Sequence, residues 1–130
     1  MPAPAHPPRP TDAELEILTA LWSIGPATVR QVHELISRRR PAQYSTILKF
    51  MQIMADKGLL LRDEKQRAHV YQAARPREWT QQQLAGHLLE RAFSGSARAL
   101  LVGALSARKT TKAELAQLRK LLDEYDKGTK

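Results

Sequence analysis

The side chains best suited to recognising another molecule lie on one face of a segment near the middle of the chain. Apolar residues recur there at helical spacing and predict a helix over 44–57, with a buried stripe of Ile47, Phe50, Met51 and Met54. The opposite face carries Ser45, Leu48, Lys49 and Gln52. Lysine donates to guanine or phosphate, glutamine pairs with adenine, and leucine contacts the methyl group of thymine. This face therefore has the chemistry needed to read the edges of base pairs.

Further polar and basic side chains surround this helix. Three adjacent arginines precede it, and because adjacent side chains splay apart, they suit phosphates rather than one base. Hydroxyls in its first turn can hydrogen-bond a phosphate, helped by the helix dipole. Two basic residues lie at the tip of a predicted hairpin, within reach of flanking phosphate or the minor groove. The candidate DNA-contacting residues are Arg38, Arg39, Arg40, Tyr44, Ser45, Thr46, Leu48, Lys49, Gln52, Lys65 and Arg67.

Catalytic and metal-binding patterns are missing from the sequence. His33 and Glu34 are not followed by a second histidine at the metalloprotease spacing. There is no glycine-rich phosphate loop and no GxSxG motif. The chain also has no cysteine, which excludes disulfides, thiolate metal sites and cysteine nucleophiles. We expect no enzyme activity, no metal and no cofactor.

The charge of the chain favours a polyanionic partner. Lysine and arginine number 21 against 13 acidic residues, which gives a net charge of +8. Between Ile24 and Ala74 the basic residues outnumber the acidic ones nine to four, whereas the first predicted helix has acids and no base. Such segregation favours a directed basic face, with nucleic acid as the first candidate partner and acidic lipid as the second. No stretch approaches 18 apolar residues, so we expect no membrane-spanning segment and no direct membrane binding. Because the N-terminus has no apolar signal-peptide region and the chain has no cysteine, we expect a cytoplasmic location.

Three helices and a hairpin must position the outward face. The sequence predicts helices over 12–23, 29–38 and 44–57, the first two beginning at the capping boxes Thr11 to Glu14 and Thr28 to Gln31. Short strands are predicted over 59–62 and 68–72, with a polar tip between them. This order predicts a mainly α fold with a small β-hairpin wing (α+β), which is a winged helix-turn-helix over residues 11–74 that follows a disordered arm over residues 1–10.

A second, helical module is predicted over residues 75–127. Two further capping boxes, Thr80 to Gln83 and Thr111 to Glu114, indicate helices there, and 97–107 is a short apolar helix. About 55 residues in three short helices bury little surface alone, so we expect self-association, the alternative being that the helices fold back on the first module. The candidate dimerisation residues are Leu100, Leu101, Leu105, Leu115, Leu118, Leu121 and Leu122.

Several short stretches together resemble a known family. They are TDAELEIL (residues 11–18), LW (21–22), TVRQVHE (28–34), YSTILK (44–49), MADKGL (54–59) and RAHVY (67–71). With them, the chain from about Pro10 to Tyr125 resembles the penicillinase-repressor (BlaI/MecI/CopY) family of bacterial repressors, and is closer to the BlaI/MecI branch. The resemblance implies a homodimer that binds an inverted-repeat operator of double-stranded DNA and represses antibiotic-resistance or cell-envelope genes. It also implies a membrane-bound sensor protease that triggers cleavage in the C-terminal module.

The chain departs from the family pattern at three places. It lacks the C-terminal cysteines of the copper-responsive branch, which excludes that branch. Leu48 and Lys49 stand where the resistance regulators have arginine and threonine, so their operator sequence does not transfer. Gly103 and Ala104 replace the Asn-Phe cleavage pair. Two alternatives stay open: a winged-helix regulator that senses a small ligand between its modules, and a winged helix that contacts protein rather than DNA.

Overall fold

The computed structural model describes residues 9–129, so the predicted disordered arm lies outside the described residues except for Arg9 and Pro10. Within this range, six helices and three strands follow one another along the chain. They are α1 (Asp12–Ile24), β1 (Ala27–Thr28), α2 (Val29–Ser37), α3 (Tyr44–Lys57), β2 (Leu60–Asp63), β3 (Val70–Ala73), α4 (Arg77–Ala92), α5 (Ala97–Ala107) and α6 (Lys112–Gly128). The predicted fold class, mainly helical with a small β wing, is confirmed.

The first three helices begin and end where local chemistry dictates. Full capping boxes at Thr11 and Thr28 start α1 and α2, as predicted. At its other end, α3 stops at Gly58, whose φ of 85° is left-handed and favours glycine. One face of each helix contributes to a common core with two strand residues, and the most deeply buried side chains are Ile17, Val32, Ile47, Met51, Met54, Leu60 and Tyr71. Phe50, which the spacing placed in the buried stripe, is half-buried and packs against this core.

The sheet contains a strand that the sequence patterns did not reveal. In the wing hairpin, β2 pairs with β3. The ends of both strands lie one or two residues later in the chain than the predicted ends. β1 then adds to the other edge of β3, with Ala27 opposite Tyr71 and Thr28 opposite Val70. Two residues are too few to show an alternating pattern, so no periodicity indicated this strand. This pairing attaches the start of α2 to the base of the wing.

The capping box predicted at Thr80 is wrong. α4 begins at Arg77, directly after Pro76, so Thr80 lies within its first turns, where its backbone N–H donates to the Pro76 carbonyl over 3.3 Å. Proline has a φ preset for a helix start and lacks an N–H to satisfy there, so the helix begins a turn earlier than the threonine pattern implied. At Thr111 the side chain accepts from the N–H of Glu114, which gives half of the predicted box.

The chain divides into two compact units, residues 1–84 and 85–130, with the division inside α4. The domain boundary predicted after residue 74 stays a prediction.

In the second unit, neither α5 nor α6, both fully described, contains a buried residue. The short apolar helix predicted over 97–107 is thus confirmed as α5, although none of its residues is buried within a single chain. Among the described residues no helix is long and apolar enough to cross a membrane.

Candidate nucleic-acid interface

The outward face of α3 is open to solvent. Lys49 and Gln52 are exposed, as are the three residues of its first turn, Tyr44, Ser45 and Thr46. No side chain caps the start of α3, since Gln43 makes no such hydrogen bond. Free N–H groups and the dipole at a helix start favour a phosphate there. The structure therefore presents the predicted reading face as a surface that a duplex could approach.

Leu48 differs from its neighbours on this face. It is half-buried and packs partly against the hydrophobic core. Its remaining surface lines an open groove of roughly 520 Å³ between α3, the start of α2 and the base of the wing. The groove is lined by Thr28, Val29, Arg30, Tyr44, Leu48, Gln52, Arg67, Ala68, His69 and Tyr71. Four of the predicted contact residues thus share one concave surface.

Six of the ten groove residues lie outside the predicted contact set, and two of these six, Arg30 and His69, are suited to binding DNA. Both are exposed, and both carry donors suited to phosphates or base edges. Arg30 is the second residue of α2, and the pairing of β1 with β3 brings it beside the wing. This pairing holds the start of α2 beside the wing, so the strand that the sequence did not reveal also helps to explain why these two side chains were not predicted. The signal in the sequence that could have indicated them is that they lie in two of the family motifs, TVRQVHE (28–34) and RAHVY (67–71).

The three arginines before α3 do not behave alike. Arg38 and Arg39 are exposed and make no ion pair in the part of the chain that the structure describes. Arg40 reaches back to α1, where its Nε donates to both carboxylate oxygens of Glu16 at 3.1 Å, and its Nη1 donates to the Pro41 carbonyl at 3.1 Å. The hydrogen bond from Arg40 lowers the pKa of Glu16, against a smaller opposing effect of burial. Arg40 thereby links α1 to the turn that precedes α3.

The acidic residues of the wing, Asp63 and Glu64, each have a hydrogen-bond or ion-pair partner. Glu64 pairs with Arg62 at 2.8 Å. Asp63 accepts a hydrogen bond from the backbone N–H of Lys65 at 2.9 Å, which fixes the turn. Lys65 and Arg67 are exposed, and neither forms an ion pair among the described residues. The wing therefore offers basic side chains whose acidic neighbours already have other partners.

A buried ion pair anchors the far end of α3. Glu14 of α1 has a side chain only 3% exposed, and Lys57 in the last turn of α3 donates to its carboxylate at 3.0 Å. Burial raises the pKa of Glu14, but hydrogen bonds from the Thr11 backbone and from Lys57 outweigh that effect, so its pKa lies below the ordinary value of 4.5. Since a buried carboxylate needs partners, this pair fixes α3 against α1.

The predicted dimerisation residues lie on α5 and α6 of the second unit. Leu100, Leu105, Leu115 and Leu118 are half-buried, whereas the other three are exposed by 37% (Leu101), 47% (Leu121) and 57% (Leu122). Tyr125 on the same helix as the last two is 70% exposed. Three of the seven predicted dimerisation residues are therefore exposed in the single chain.

Three packed helices followed by a hairpin, with an exposed polar helix face beside that hairpin, define a winged-helix regulator. More particularly, the chain belongs to the penicillinase repressor family of transcriptional regulators, because the sequence model of that family matches residues 10–124. It is also similar to the transcriptional regulator BlaI of two Mycobacterium tuberculosis strains, CDC 1551/Oshkosh and ATCC 25618/H37Rv. Each is 35% identical over 119 residues, which cover 90% of this chain and 85% of the relative. The resemblance drawn from the sequence motifs is confirmed.

Proposed function

We propose that the chain is a repressor that binds an inverted-repeat DNA operator as a homodimer, with α3 in the major groove and the wing on flanking backbone. One observation carries the proposal: Leu48 and Gln52 of the outward face of α3 line one open groove together with Arg30 of α2 and Arg67 of the wing, so that basic residues lie on two of its sides. A recognition helix in the major groove and an adjacent hairpin on the backbone is the docking geometry that this arrangement suits. Family membership supports DNA as the partner.

Dimerisation is proposed through the second unit. Two helices with no buried residue and several exposed leucines gain stability when a second copy covers their apolar side chains. A dimer would hold two α3 helices on one duplex, and the second contact would then benefit from a high effective concentration. The operator would accordingly contain two half-sites in inverted orientation, as the two-fold symmetry of a dimer requires.

Relief of repression is proposed to occur by cleavage in α5 through a membrane-bound sensor protease, and the target genes to be antibiotic-resistance or cell-envelope genes. The name of the family, penicillinase repressor, supports the antibiotic-resistance part of this proposal. The protease follows from the resemblance drawn from the sequence motifs. A cut after Gly103 would separate the α6 leucines from the DNA-binding unit and leave only half-site affinity. Because Gly103 lies within a helix, the segment would have to open locally before a protease could bind it in an extended form. The regulator would act in the cytoplasm, where the operator is.

Binding to DNA flanking the gene of this protein tests the proposal. We expect a footprint with two-fold symmetry and an affinity that falls steeply with salt, because bound lysines and arginines displace counterions from phosphates. Lys49→Ala should weaken specific binding by about 1–3 kcal/mol if Lys49 contacts a base. Lys127→Ala, an exposed lysine on α6, is the matched control and should bind as the wild type does. An affinity independent of salt, or equal losses in both variants, would reject the proposed interface.

A further inference from the structure

His33 connects α2 to the loop that leads into α3. Its Nε2 atom lies 2.8 Å from the carbonyl oxygen of Ala42 and 3.2 Å from Oγ of Ser37, one turn further along α2. Ala42 is two residues before the first residue of α3. The histidine is half-buried, so this contact is partly shielded from water.

The chemistry of these partners fixes where the proton of His33 resides. A carbonyl oxygen only accepts hydrogen bonds, so Nε2 must carry a hydrogen and donate it to Ala42. The Ser37 hydroxyl then either accepts a second, weaker hydrogen bond from the same N–H or donates its own hydrogen to another acceptor. The neutral ring is therefore held as the Nε2–H tautomer, and the bond from His33 to Ala42 is the stronger of the two because it is shorter.

A second contact from the same ring reaches α3 itself. The edge-to-face arrangement of His33 and Tyr44 has ring centroids 5.7 Å apart and an interplanar angle of 79°. This geometry is favourable for aromatic pairs. One side chain of α2 thus contacts the last part of the loop and the first residue of α3. The start of α3 has no side-chain cap of its own from Gln43, so this contact from outside the helix gains importance.

We infer that His33 is a positioning residue for DNA recognition: it fixes the start of α3 relative to α2 so that the outward face meets the base edges in register. The inference rests on the proposed function, since it presumes that α3 reads DNA. The hydrogen bond sets an orientation and contributes no contact to the duplex. Its loss would lower the population of the binding-competent arrangement and hence the apparent specific affinity.

Two substitutions at one position separate the hydrogen bond from the ring. His33→Gln keeps an N–H donor that can reach the Ala42 carbonyl, whereas His33→Leu fills similar space without a donor. We expect His33→Leu to lose about fivefold to tenfold in affinity for the footprinted operator, the equivalent of one net hydrogen bond. His33→Gln should recover most of that loss. Ser37→Ala is the matched control, because it removes the weaker neighbour of the same nitrogen, and it should bind as the wild type does.

A random duplex distinguishes positioning from general damage. Binding to it depends on the number of phosphates neutralised, and none of these variants removes a lysine or arginine. Its affinity should therefore stay unchanged in His33→Leu. An equal loss on operator and random duplex, or an operator affinity of His33→Leu equal to that of the wild type, would overturn the inference.

NMR of the wild-type protein supplies a test that needs neither DNA nor a variant. The ¹⁵N shifts of the His33 ring should show a protonated Nε2, and a coupling across the hydrogen bond should connect it to the Ala42 carbonyl carbon. An unprotonated Nε2 in the neutral ring would overturn the inference even if the operator is bound. Conversely, a wild-type protein that shows the bond but binds no operator would refute the proposed function instead.

Discussion

The ion pair between Glu14 and Lys57 provides a quantitative test of how α3 is held. Replacing Lys57 by methionine keeps the length of the side chain and removes its charge. The carboxylate of Glu14, only 3% exposed, then loses its one cationic partner among the described residues. It retains the hydrogen bond from the Thr11 backbone N–H at 2.9 Å. We expect the free energy of unfolding to fall, because a buried charge that loses its partner is not solvated in exchange.

The exposure of the two partners sets the size of this effect. Breaking a fully buried pair costs about 3–5 kcal/mol, whereas an exposed pair contributes about 0.2–1 kcal/mol. Glu14 belongs to the first case, but Lys57 is 35% exposed and can be partly solvated in the folded state. The loss should therefore lie between these limits, at about 1.5–3 kcal/mol, the range for a hydrogen bond to a charged group.

Urea unfolding followed by tryptophan fluorescence measures this loss. Lys49→Met, an exposed lysine of the same helix, is the control and should change stability by less than about 0.5 kcal/mol. Glu14→Gln and the double variant complete a cycle that isolates the pair. The glutamine can still accept a hydrogen bond from the Thr11 N–H, so the helix cap is kept. Gln31 accepts in the same way from the Thr28 N–H in the capping box of α2. A loss in Lys57→Met no larger than in Lys49→Met, or a coupling energy near zero, would refute the reasoning.

Acid titration extends the same test. The pKa of Glu14 and that of Glu16 both lie below the ordinary value of 4.5 in the folded chain. The stabilisation that each carboxylate provides is therefore fully present above about pH 4.5 and is lost as the pH falls through the lower, folded pKa. Unfolding free energy measured against pH should decline in this acidic range, and less steeply in Glu14→Gln. An identical decline in that variant would show that Glu14 takes no part.

Three further outcomes are expected. If Arg40 acts by linking α1 to the turn rather than by touching DNA, Glu16→Gln should weaken operator binding as much as Arg40→Gln does; a loss in the arginine variant alone would instead assign Arg40 to the duplex. Leu118→Asp should sediment as a monomer and bind the operator much more weakly, because a charge in an apolar interface is costly, and a variant that stays dimeric would move the interface elsewhere. A chain truncated after Gly103 should keep a folded first unit by NMR yet fail to repress a reporter gene, and full repression by it would remove the need for α6.

The sequence predicted best those elements whose ends have strong local signals. The bounds of α3 follow from Pro41 before it and Gly58 after it, and the structure has them at the predicted residues. The helix predicted over 97–107 also begins and ends at the observed residues, and the structure shows that Ser96 caps its start. At Thr80 two local signals competed, and the proline decided the start of α4. The sequence therefore shows where helix-start signals lie, but where two such signals are adjacent it does not show which one determines the start of the helix.

Features that depend on residues far apart in the chain could not be predicted. The outward side of α3 followed from its helical period, and the exposure of Lys49 and Gln52 agrees with it. The pairing of Arg40 with Glu16 joins residues 24 positions apart, and nothing in the local pattern indicates it. Arg30 lies beside the wing because β1, which leads into α2, pairs with β3. Which of these side chains touch DNA stays a prediction.

The strand order β1-β3-β2 has a consequence for which surfaces can stick together. β3 is paired on both sides, so only the two outer strands have free backbone groups. β1 is two residues long and runs directly into α2, and β2 ends in the charged residues Arg62 and Asp63. Short and charged edges discourage a neighbouring molecule from adding a strand. The edges of the sheet are thus protected against pairing with the sheet of a second copy of the chain.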